Sequence, residues 1–494
     1  MKESNKLFEL IRSMSKSEKV YFKKYTSMHV IGGENNYIKL FDAFAAQEEF
    51  DEKKIKAKLK NNSALKYFSS SQGYLYKLIL KCLRAYHSDE TSATKIVEHL
   101  LDALHLKNKG LFEHSNKMFE TSIGLAEKEE DLFFLSKAYD LMQDNSLRNQ
   151  DIKKLEHFES EFNLKMNVLA ENIKERVKVK QLQLYAFRLY LKYGENGADK
   201  NAVNEVSQIL NDPLLRSGTK YQARYTLYRA LSTKTSSYFI RGDYQALKEI
   251  NTLHLAALEK DPTFDSEIMR FNYGIMLNNR IGICVQLKIS GEIDSIVKKI
   301  MSLKIDTPQR KIFFSIHTYS NILNAYIEFG MIEKGKDIIP EIISKLKKQE
   351  DQAPEEGLLL LRSNIAIMYF MCGNYSDSLK WVNIILNDHD KDSRPDIITD
   401  MRMLNILVHY ELKNFQLMSS LILSLHRHLS KMKKLDGFSK VIFNHMKKLE
   451  FMMDKKEVQK EFLSFRDDLK ASMIKGKDNQ SYILAWVKKK YIKE

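Results

Sequence analysis

One six-residue pattern recurs three times at nearly constant spacing, and this repetition limits the fold more than any other feature of the chain. The pattern begins with Asn, ends with Tyr five positions later, and occurs at residues 321–326, 364–369 and 405–410. Its starts are 43 and 41 residues apart. Self-similarity at a period of roughly 20–50 residues is typical of repeat folds, in which each unit buries its apolar face against its neighbours.

Each copy of the pattern is followed by a second apolar face at helical spacing. Apolar residues that return every three or four positions predict an amphipathic helix. The three faces are Ile338, Ile339 and Ile342; Leu379, Val382, Ile385 and Leu386; and Leu421, Ile422 and Leu425. Each repeat is therefore predicted to be an antiparallel pair of helices.

Composition supports the same fold class along the whole chain. The 494 residues include only 18 Gly and 6 Pro, less than half of average usage. β-Sandwiches, barrels and nucleotide-binding α/β folds need many Gly and Pro turns, so these classes are disfavoured. Disorder is disfavoured because 44% of the residues are hydrophobic and 11% are aromatic. We therefore predict an all-α protein.

The second copy resembles the tetratricopeptide repeat (TPR). That family places a small residue, a Tyr three positions later, and then a Gly, a Tyr, a small residue and a large apolar residue. The matching residues at the family's spacing are Ala366, Tyr369, Gly373, Tyr375, Ser378 and Val382. Small residues let the two helices approach closely, Gly closes the turn, and the aromatic side chains fill the interface with the next pair.

The other copies match the ladder less fully. The first copy has Tyr326, Gly330 and Ile332, with Gly335 at the small position, and the third keeps Tyr410 but has Lys413-Asn414-Phe415 at the turn. Weaker echoes occur earlier in the chain, around Gly110-Leu111-Phe112 and Gly242-Asp243-Tyr244. The segment 10–22 is also similar to the start of uncharacterised bacterial repeat proteins.

The resemblance implies a right-handed α-solenoid of antiparallel helix pairs. Since the family's usual period is about 34 residues, the longer period here implies longer helices or loops. We predict an N-terminal helical unit at 1–92, degenerate helical repeats at 93–300, recognisable TPR-like repeats at 301–430, and basic capping helices at 431–494. The polar stretch 87–92 sets the first boundary.

Charge is concentrated near the C-terminal end of the sequence. The net charge is +15, and residues 401–494 contribute +10 of it, with 20 Lys and Arg against 10 Asp and Glu. The basic residues include Lys431, Lys433, Lys434, Lys440, Lys447, Lys448 and Lys488–Lys490, and Trp486 and Tyr491 flank the last run. Two interpretations stay open: a basic, aromatic stripe that binds nucleic acid, and capping helices with the polar outer face that solenoids require.

No catalytic, cofactor or metal motif is complete. Residues 330–337 approach a P-loop, but Asp337 stands where Mg²⁺ binding needs Ser or Thr, and a helix is predicted where a strand is required. Residues 388–392 begin like a calcium loop but lack its Gly and its bidentate Glu. We therefore expect a protein that is not an enzyme and needs no cofactor.

The N-terminal sequence and the cysteines indicate the cellular compartment in which the protein is expected. The first apolar stretch is interrupted by Glu9 and Arg12, so it lacks a signal-peptide core. Cys82, Cys284 and Cys372 are far apart and form no CxxC pair, which favours reduced thiols. No apolar run is long enough to cross a bilayer. We expect a cytoplasmic protein with no membrane insertion.

The asparagines of the repeats are the predicted partner-binding residues. In TPR proteins the same position on the first helix of each pair lines the concave groove, and an Asn amide can donate to and accept from a peptide backbone. The predicted residues are Asn321, Asn364 and Asn405 at that position, together with Asn324, which follows Asn321 by three residues. The alternative is that each Asn caps or bridges neighbouring helices. The resemblance implies a scaffold or adaptor that binds a peptide or helix of a protein partner. Since Ser320 and Ser363 replace the basic residues of the family's carboxylate clamp, a chaperone tail is not expected.

Overall fold

The computed structural model describes most of the chain. The described residues are 3–27, 36–59, 68–148, 152–193, 200–216, 220–221, 223–349, 352–388, 394–431, 437–472 and 481–492. They contain 23 α-helices, one short 3₁₀ helix and no strand. The all-α prediction is confirmed.

Two compact units share the chain. The first comprises Met1–Val177 with Gln222–Tyr225, and the second comprises Lys178–Tyr221 with Thr226–Glu494. The division falls inside one long helix, α9 (Ile152–Tyr193), within the predicted repeat region.

The first unit contains eight helices before α9. They are α1 (Glu3–Ser13), α2 (Lys16–Ser27), α3 (Asn36–Ala45), α4 (Glu52–Lys58), α5 (Phe68–Tyr86), α6 (Ser92–Asn108), α7 (Phe112–Glu129) and α8 (Leu132–Arg148). One apolar core forms around Phe22, Phe41 and Phe44. A second core lies between α6, α7 and α8 and includes Phe119 and Ile123.

The second unit contains the recognisable repeats predicted at 301–430. Its helices after α9 are α10 (Lys200–Leu210), α11 (Arg224–Arg241), α12 (Tyr244–Glu259), α13 (Glu267–Gln286), α14 (Ile293–Met301), α15 (Pro308–Glu328), α16 (Ile332–Gln349), α17 (Glu355–Met371), α18 (Tyr375–Asp388), α19 (Pro395–Glu411), α20 (Phe415–Lys431), α21 (Gly437–Leu449), α22 (Lys455–Ser472) and α23 (Ser481–Ile492). One continuous apolar core runs from Leu258 to Val487.

Seven turns between successive helices close with one geometry. In each, a residue with positive φ follows the helix, and the next backbone N–H donates to the carbonyl five positions back at 2.8–3.0 Å. This is the Schellman cap, which satisfies carbonyls that the helix end leaves unpaired. The positive-φ residues are Gly110, Glu130, Gly242, Lys288, Gly330, Gly373 and Lys413. The turn alignment that placed Lys413 opposite Gly373 is therefore reproduced in the backbone.

Small residues bring the two helices of a pair together, as the sequence pattern predicts. Ser378 of α18 is fully buried, and its hydroxyl donates to the Ala366 carbonyl of α17 at 2.8 Å. Ser115 of α7 makes the same 2.8 Å bond to Ala103 of α6. A side chain at Gly335 would overlap Met368, so α16 also approaches α17, the first helix of the next pair, closely. The weak sequence echo near Gly110 thus has the packing of the strongest copy.

Candidate functional site

Four helices of the second unit pack side by side, and we call them the A row: α13, α15, α17 and α19. Helix α13 packs on α15, α15 on α17, and α17 on α19, while each A-row helix also packs on the helix that follows it. The three Asn-to-Tyr patterns fall on α15, α17 and α19. The repeated residues therefore occupy equivalent places in the row.

Asn321 bridges two A-row helices. Its Nδ2 donates to Oδ1 of Asn278 on α13 at 3.2 Å. Asn278 is buried, and its own Nδ2 donates to the Gly274 carbonyl and to Oγ1 of Thr318, both at 3.0 Å. Sequence reasoning missed Asn278, although it lies 43 residues before Asn321, because no Tyr follows it at the repeat position.

Asn364 extends the same bridging to α17. Its Nδ2 donates to the Ser320 carbonyl at 3.0 Å and to Ser320 Oγ at 3.1 Å, and its side chain is buried. Asn405 of α19 is also buried, whereas Asn324 is half-buried. Within the described residues, Oδ1 of Asn324 and of Asn405 has no hydrogen-bond partner. The bridging interpretation thus describes Asn321 and Asn364, and a partner-binding role for the four asparagines stays a prediction.

Helix α23 packs on α15 and α17 and contacts the C-terminal ends of three A-row helices. The acceptors there are the last residues of those helices: the Glu328 carboxylate of α15, the Met371 carbonyl of α17 and the Glu411 carboxylate of α19. Three donors of α23 reach them: Ser481 reaches Glu328 at 2.6 Å, Lys489 reaches Met371 at 3.3 Å, and Lys490 reaches Glu411 at 2.6 Å.

The charges at this contact are complementary. The C-terminal end of a helix carries partial negative charge, so Lys489 and Lys490 lie where cations are stabilised. The side chains of Glu328 and Glu411 are only 3% and 8% exposed. Buried carboxylates are costly without partners, and the donors of α23 supply them, together with Lys288 at 3.3 Å from Glu328.

An aromatic cluster fixes α23 beside these charges. The Trp486 ring centroid lies 6.0 Å from Phe370, 5.9 Å from Tyr410 and 5.5 Å from Phe462. The indole N–H donates to the Glu411 carboxylate, and Trp486 is buried. Burial raises the pKa of Tyr410 to about 12. A buried Trp486 is not available to stack on bases, so its place differs from that of an aromatic residue on a nucleic-acid stripe.

The remaining basic residues are dispersed. Lys448 pairs with Glu461 at 3.0 Å, whereas Lys440, Lys447 and Lys488 are exposed. The side chains of Lys431, Lys433, Lys434 and Tyr491 lie outside the described part of the structure. Of the last Lys run, Lys489 and Lys490 therefore face the A row.

The structure also locates the other sequence features considered above: the P-loop-like segment, the cysteines and the calcium-loop-like segment. Residues 330–337 form the turn between α15 and α16 and the start of α16. Burial raises the pKa of Cys82 and Cys284 to about 11. Residues 389–393 lie outside the described chain, and the described residues contain no cluster of side chains able to hold a metal ion. Among the described helices, none has the length and apolarity needed to cross a membrane.

Comparison with known proteins identifies no relative of this chain. No family model matches its sequence, and neither curated proteins nor solved structures give a significant match.

Proposed function

We propose that this protein is a cytoplasmic scaffold or adaptor, without enzymatic activity, that binds a helix or peptide of a partner protein. We further propose that its second unit is a TPR-like, right-handed α-solenoid. The observation that carries the function is the seating of α23 on the A row, where carboxylates, a backbone carbonyl and an aromatic cluster hold a separate helix.

The regular stacking of pairs supports the fold part of the proposal. The Schellman caps after α11, α13, α15, α17 and α19 all have one geometry. The packing of each A-row helix on the next extends the pair into an array. Arrays of this kind present long, continuous surfaces, which is why repeat proteins so often bind other proteins.

The helix contact of α23 supports the binding part. Its chemistry is that of helix-in-groove recognition, in which apolar anchors fill pockets and polar groups set the register. Trp486 is the anchor, and Lys490 and Ser481 set the register against Glu411 and Glu328. A partner helix would use the same type of contact on the A row or beside it.

Capture of the tagged full chain in native extract tests the proposal. Nuclease treatment and two salt concentrations separate protein partners from nucleic acid, because phosphate contacts weaken steeply with salt. We expect one or a few proteins to stay bound after nuclease treatment at both salt concentrations. Recovery that depends wholly on nucleic acid would contradict the proposal.

The asparagines need a variant that does not disturb folding. Asn321→Ala with Asn324→Ala is the milder test pair, since both side chains are half-buried and the pair costs one described hydrogen bond, from Asn321 to Asn278. Asn364→Ala is unsuitable, because it removes two hydrogen bonds from a buried site. The matched control is the exposed Asn167→Ala on α9. If Asn321 and Asn324 contact the partner, the test pair reduces capture while circular dichroism and the control are unchanged.

A further inference from the structure

Helix α9 is apolar on two opposite faces within the second unit. Over residues 178–193, one face is buried in the core of that unit and consists of Val179, Leu182, Ala186 and Leu189. The other face is exposed and consists of Leu184, Phe187 and Leu191, which we call the α9 stripe. Their exposed fractions are 60%, 52% and 68%.

The geometry of an α-helix puts these faces far apart. At about 100° per residue, the stripe is centred roughly 150° from the buried face. A helix on a protein surface normally turns charged and polar residues outward, and a helix that is apolar all round is normally covered. Packing in the core of the second unit explains why Val179 and Leu189 are apolar, but it does not explain why the exposed residues of the α9 stripe are apolar.

The spacing of the stripe is that of a helix–helix seam. Intervals of four, three and four residues separate Lys180, Leu184, Phe187 and Leu191. This is the heptad spacing of coiled coils. The narrow seam contrasts with the broad apolar face of helices that lie in a membrane interface.

A chain of aromatic rings widens the surface beside the stripe. Phe187 and Tyr190 stack with ring centroids 6.2 Å apart. Tyr190 lies 5.7 Å from Phe239 of α11, and Phe239 lies 6.4 Å from Tyr244 of α12. Aromatic side chains supply large contact area at low entropic cost and are enriched where proteins bind each other.

The positive charge around the α9 stripe favours a partner with acidic residues. Residues 178–193 contain Lys178, Lys180, Arg188 and Lys192 and no acidic residue. Lys178 pairs with Asp212 at 3.2 Å and Lys192 lies 3.7 Å from Glu205, whereas Lys180 and Arg188 are exposed. A second copy of this helix would bring like charges together, which is unfavourable at a seam. Acidic residues on either side of the apolar face of a bound helix would complement Lys180 and Arg188.

We propose that the α9 stripe binds an amphipathic α-helix of a partner protein, with leucines at heptad spacing and acidic residues flanking them. This proposal names the partner class and rests on the proposed function as a protein-binding scaffold. The partner's leucines would pack against Leu184, Phe187 and Leu191, and its carboxylates would pair with Lys180 and Arg188.

The direct test uses a synthetic probe with the full-length protein. The acidic probe is a fluorescein-labelled helical peptide of three heptads, with Leu at a and d and Glu at e and g. A basic probe has Lys in place of Glu. We expect saturable binding of the acidic probe by fluorescence anisotropy and much weaker binding of the basic probe. Absence of saturable binding of the acidic probe would overturn the proposal.

Two sets of variants locate the site. The combination of Leu184→Ser, Phe187→Ser and Leu191→Ser should lower the affinity for the acidic probe by about tenfold or more. The control, Leu417→Ser with Leu423→Ser on α20, changes two leucines of similar exposure and should change binding by less than about twofold. Lys180→Glu with Arg188→Glu should reverse the preference between the probes. If the stripe and control variants lose affinity for the acidic probe equally, the probe binds outside the α9 stripe.

Two other occupants are distinguished by separate measurements. Sedimentation of the free protein would reveal a dimer that the stripe variant dissociates if a second copy covers the stripe. Flotation with vesicles containing one-third phosphatidylserine would show stripe-dependent binding if the stripe lies on a membrane. Either result would overturn the assignment to a partner helix. If nuclease-resistant capture succeeds and the stripe variant leaves it unchanged, the proposed function stands and this inference fails.

Discussion

The Ser378 hydroxyl donates to the Ala366 carbonyl at 2.8 Å, with both residues fully buried between α17 and α18. Ser115 and Ala103 repeat this contact between α6 and α7, with the same separation of 12 residues. Ser378→Ala should reduce the free energy of unfolding by about 1 kcal/mol, because one buried hydrogen bond is lost. Ser115→Ala should cost more in the first unit, because the Ser115 hydroxyl also accepts from Nδ2 of the buried Asn145 at 2.8 Å.

Urea unfolding followed by circular dichroism measures these losses. The control is Ser420→Ala on α20, whose exposed hydroxyl donates at 2.8 Å to the Leu417 carbonyl within the same helix, and not to a neighbouring helix. Its effect should stay within about 0.5 kcal/mol. Equal effects at Ser378 and Ser420 would show that burial does not strengthen the contact.

Two glycines of α13 should respond to Ala in opposite directions. A methyl group at Gly274 would overlap the Phe314 ring, whereas nothing lies within 4 Å of one at Gly282. Gly274→Ala should destabilise the second unit by about 1–3 kcal/mol through overpacking. Gly282→Ala should stabilise it by about 0.5–1 kcal/mol, since Ala favours helix. Thermal unfolding of both variants measures the difference, and a shift of the same sign in both would contradict the predicted packing.

The hydroxyl of Tyr482 is a further test of burial. Tyr482 lies on α23 and is only 1% exposed, and no described residue hydrogen bonds to its hydroxyl. Tyr482→Phe should leave stability unchanged or raise it by up to about 1 kcal/mol, because an unpaired polar group is removed. Tyr319→Phe is the contrast, since that phenol donates to Glu341 at 2.7 Å and accepts from Lys345 at 2.5 Å.

The Tyr319→Phe variant should lose about 1–2 kcal/mol in chemical denaturation, because the charged neighbours of the phenol lose a partner. A larger loss at Tyr482 than at Tyr319 would mean that Tyr482 has a bonding partner after all.

His254 should make the second unit sensitive to acid. Burial lowers the pKa of His254 to about 4, whereas the unfolded value is about 6.5. Protonation therefore favours the unfolded chain: the stabilising effect is complete above pH 6.5 and is lost as pH falls toward 4. The expected loss between pH 7 and pH 5 is about 2 kcal/mol.

Denaturation of the wild type and His254→Gln at both pH values checks this expectation. The variant should be less stable at pH 7, where the packing of His254 on Tyr228 is lost, but its stability should depend less on pH. An unchanged pH dependence would assign the acid sensitivity to other groups.

Glu411 should control the attachment of α23. It accepts from the Trp486 indole and pairs with Lys490 at 2.6 Å. Glu411→Ala leaves both groups without their acceptor, so amide hydrogen exchange over residues 481–492 should accelerate by about tenfold or more. In a Trp381→Phe background, the fluorescence of Trp486 should shift to the red.

The control for that variant is Glu457→Ala on α22, which changes an exposed carboxylate. It should leave both hydrogen exchange and fluorescence unchanged. Protection of residues 481–492 in Glu411→Ala equal to wild type would show that the other contacts of α23, polar and apolar, hold the helix without Glu411.

Sequence reasoning worked best where one residue type carries the structural requirement. Gly330 and Gly373 identified turns because Gly adopts positive φ at low cost, and Ser378 identified a close helix contact. Glu130 and Lys288 occupy the same backbone conformation, but their side chains give no sign of it. Because residues other than Gly can also adopt positive φ, residue type alone does not identify these turns.

The candidate site was harder to predict because it depends on distant residues. Asn321 and Asn364 look alike in sequence, yet Asn364 is buried against Ser320 while Asn321 is half-buried. The place of Trp486 depends on Phe370 and Tyr410, which lie 116 and 76 positions earlier. Local periodicity predicts that α23 is a helix, but it contains no information about which surface the helix meets.

The contact between Ser481 and Glu328 spans 153 positions of the chain, and it changes how this region should lose its structure. An open array of helix pairs has only nearest-neighbour contacts, so its ends fray and intermediates accumulate. Here α23 contacts α15, α17 and α19 at once, so it ties together helices that belong to three successive pairs. Helices tied together in this way should lose their structure together, and not one pair at a time.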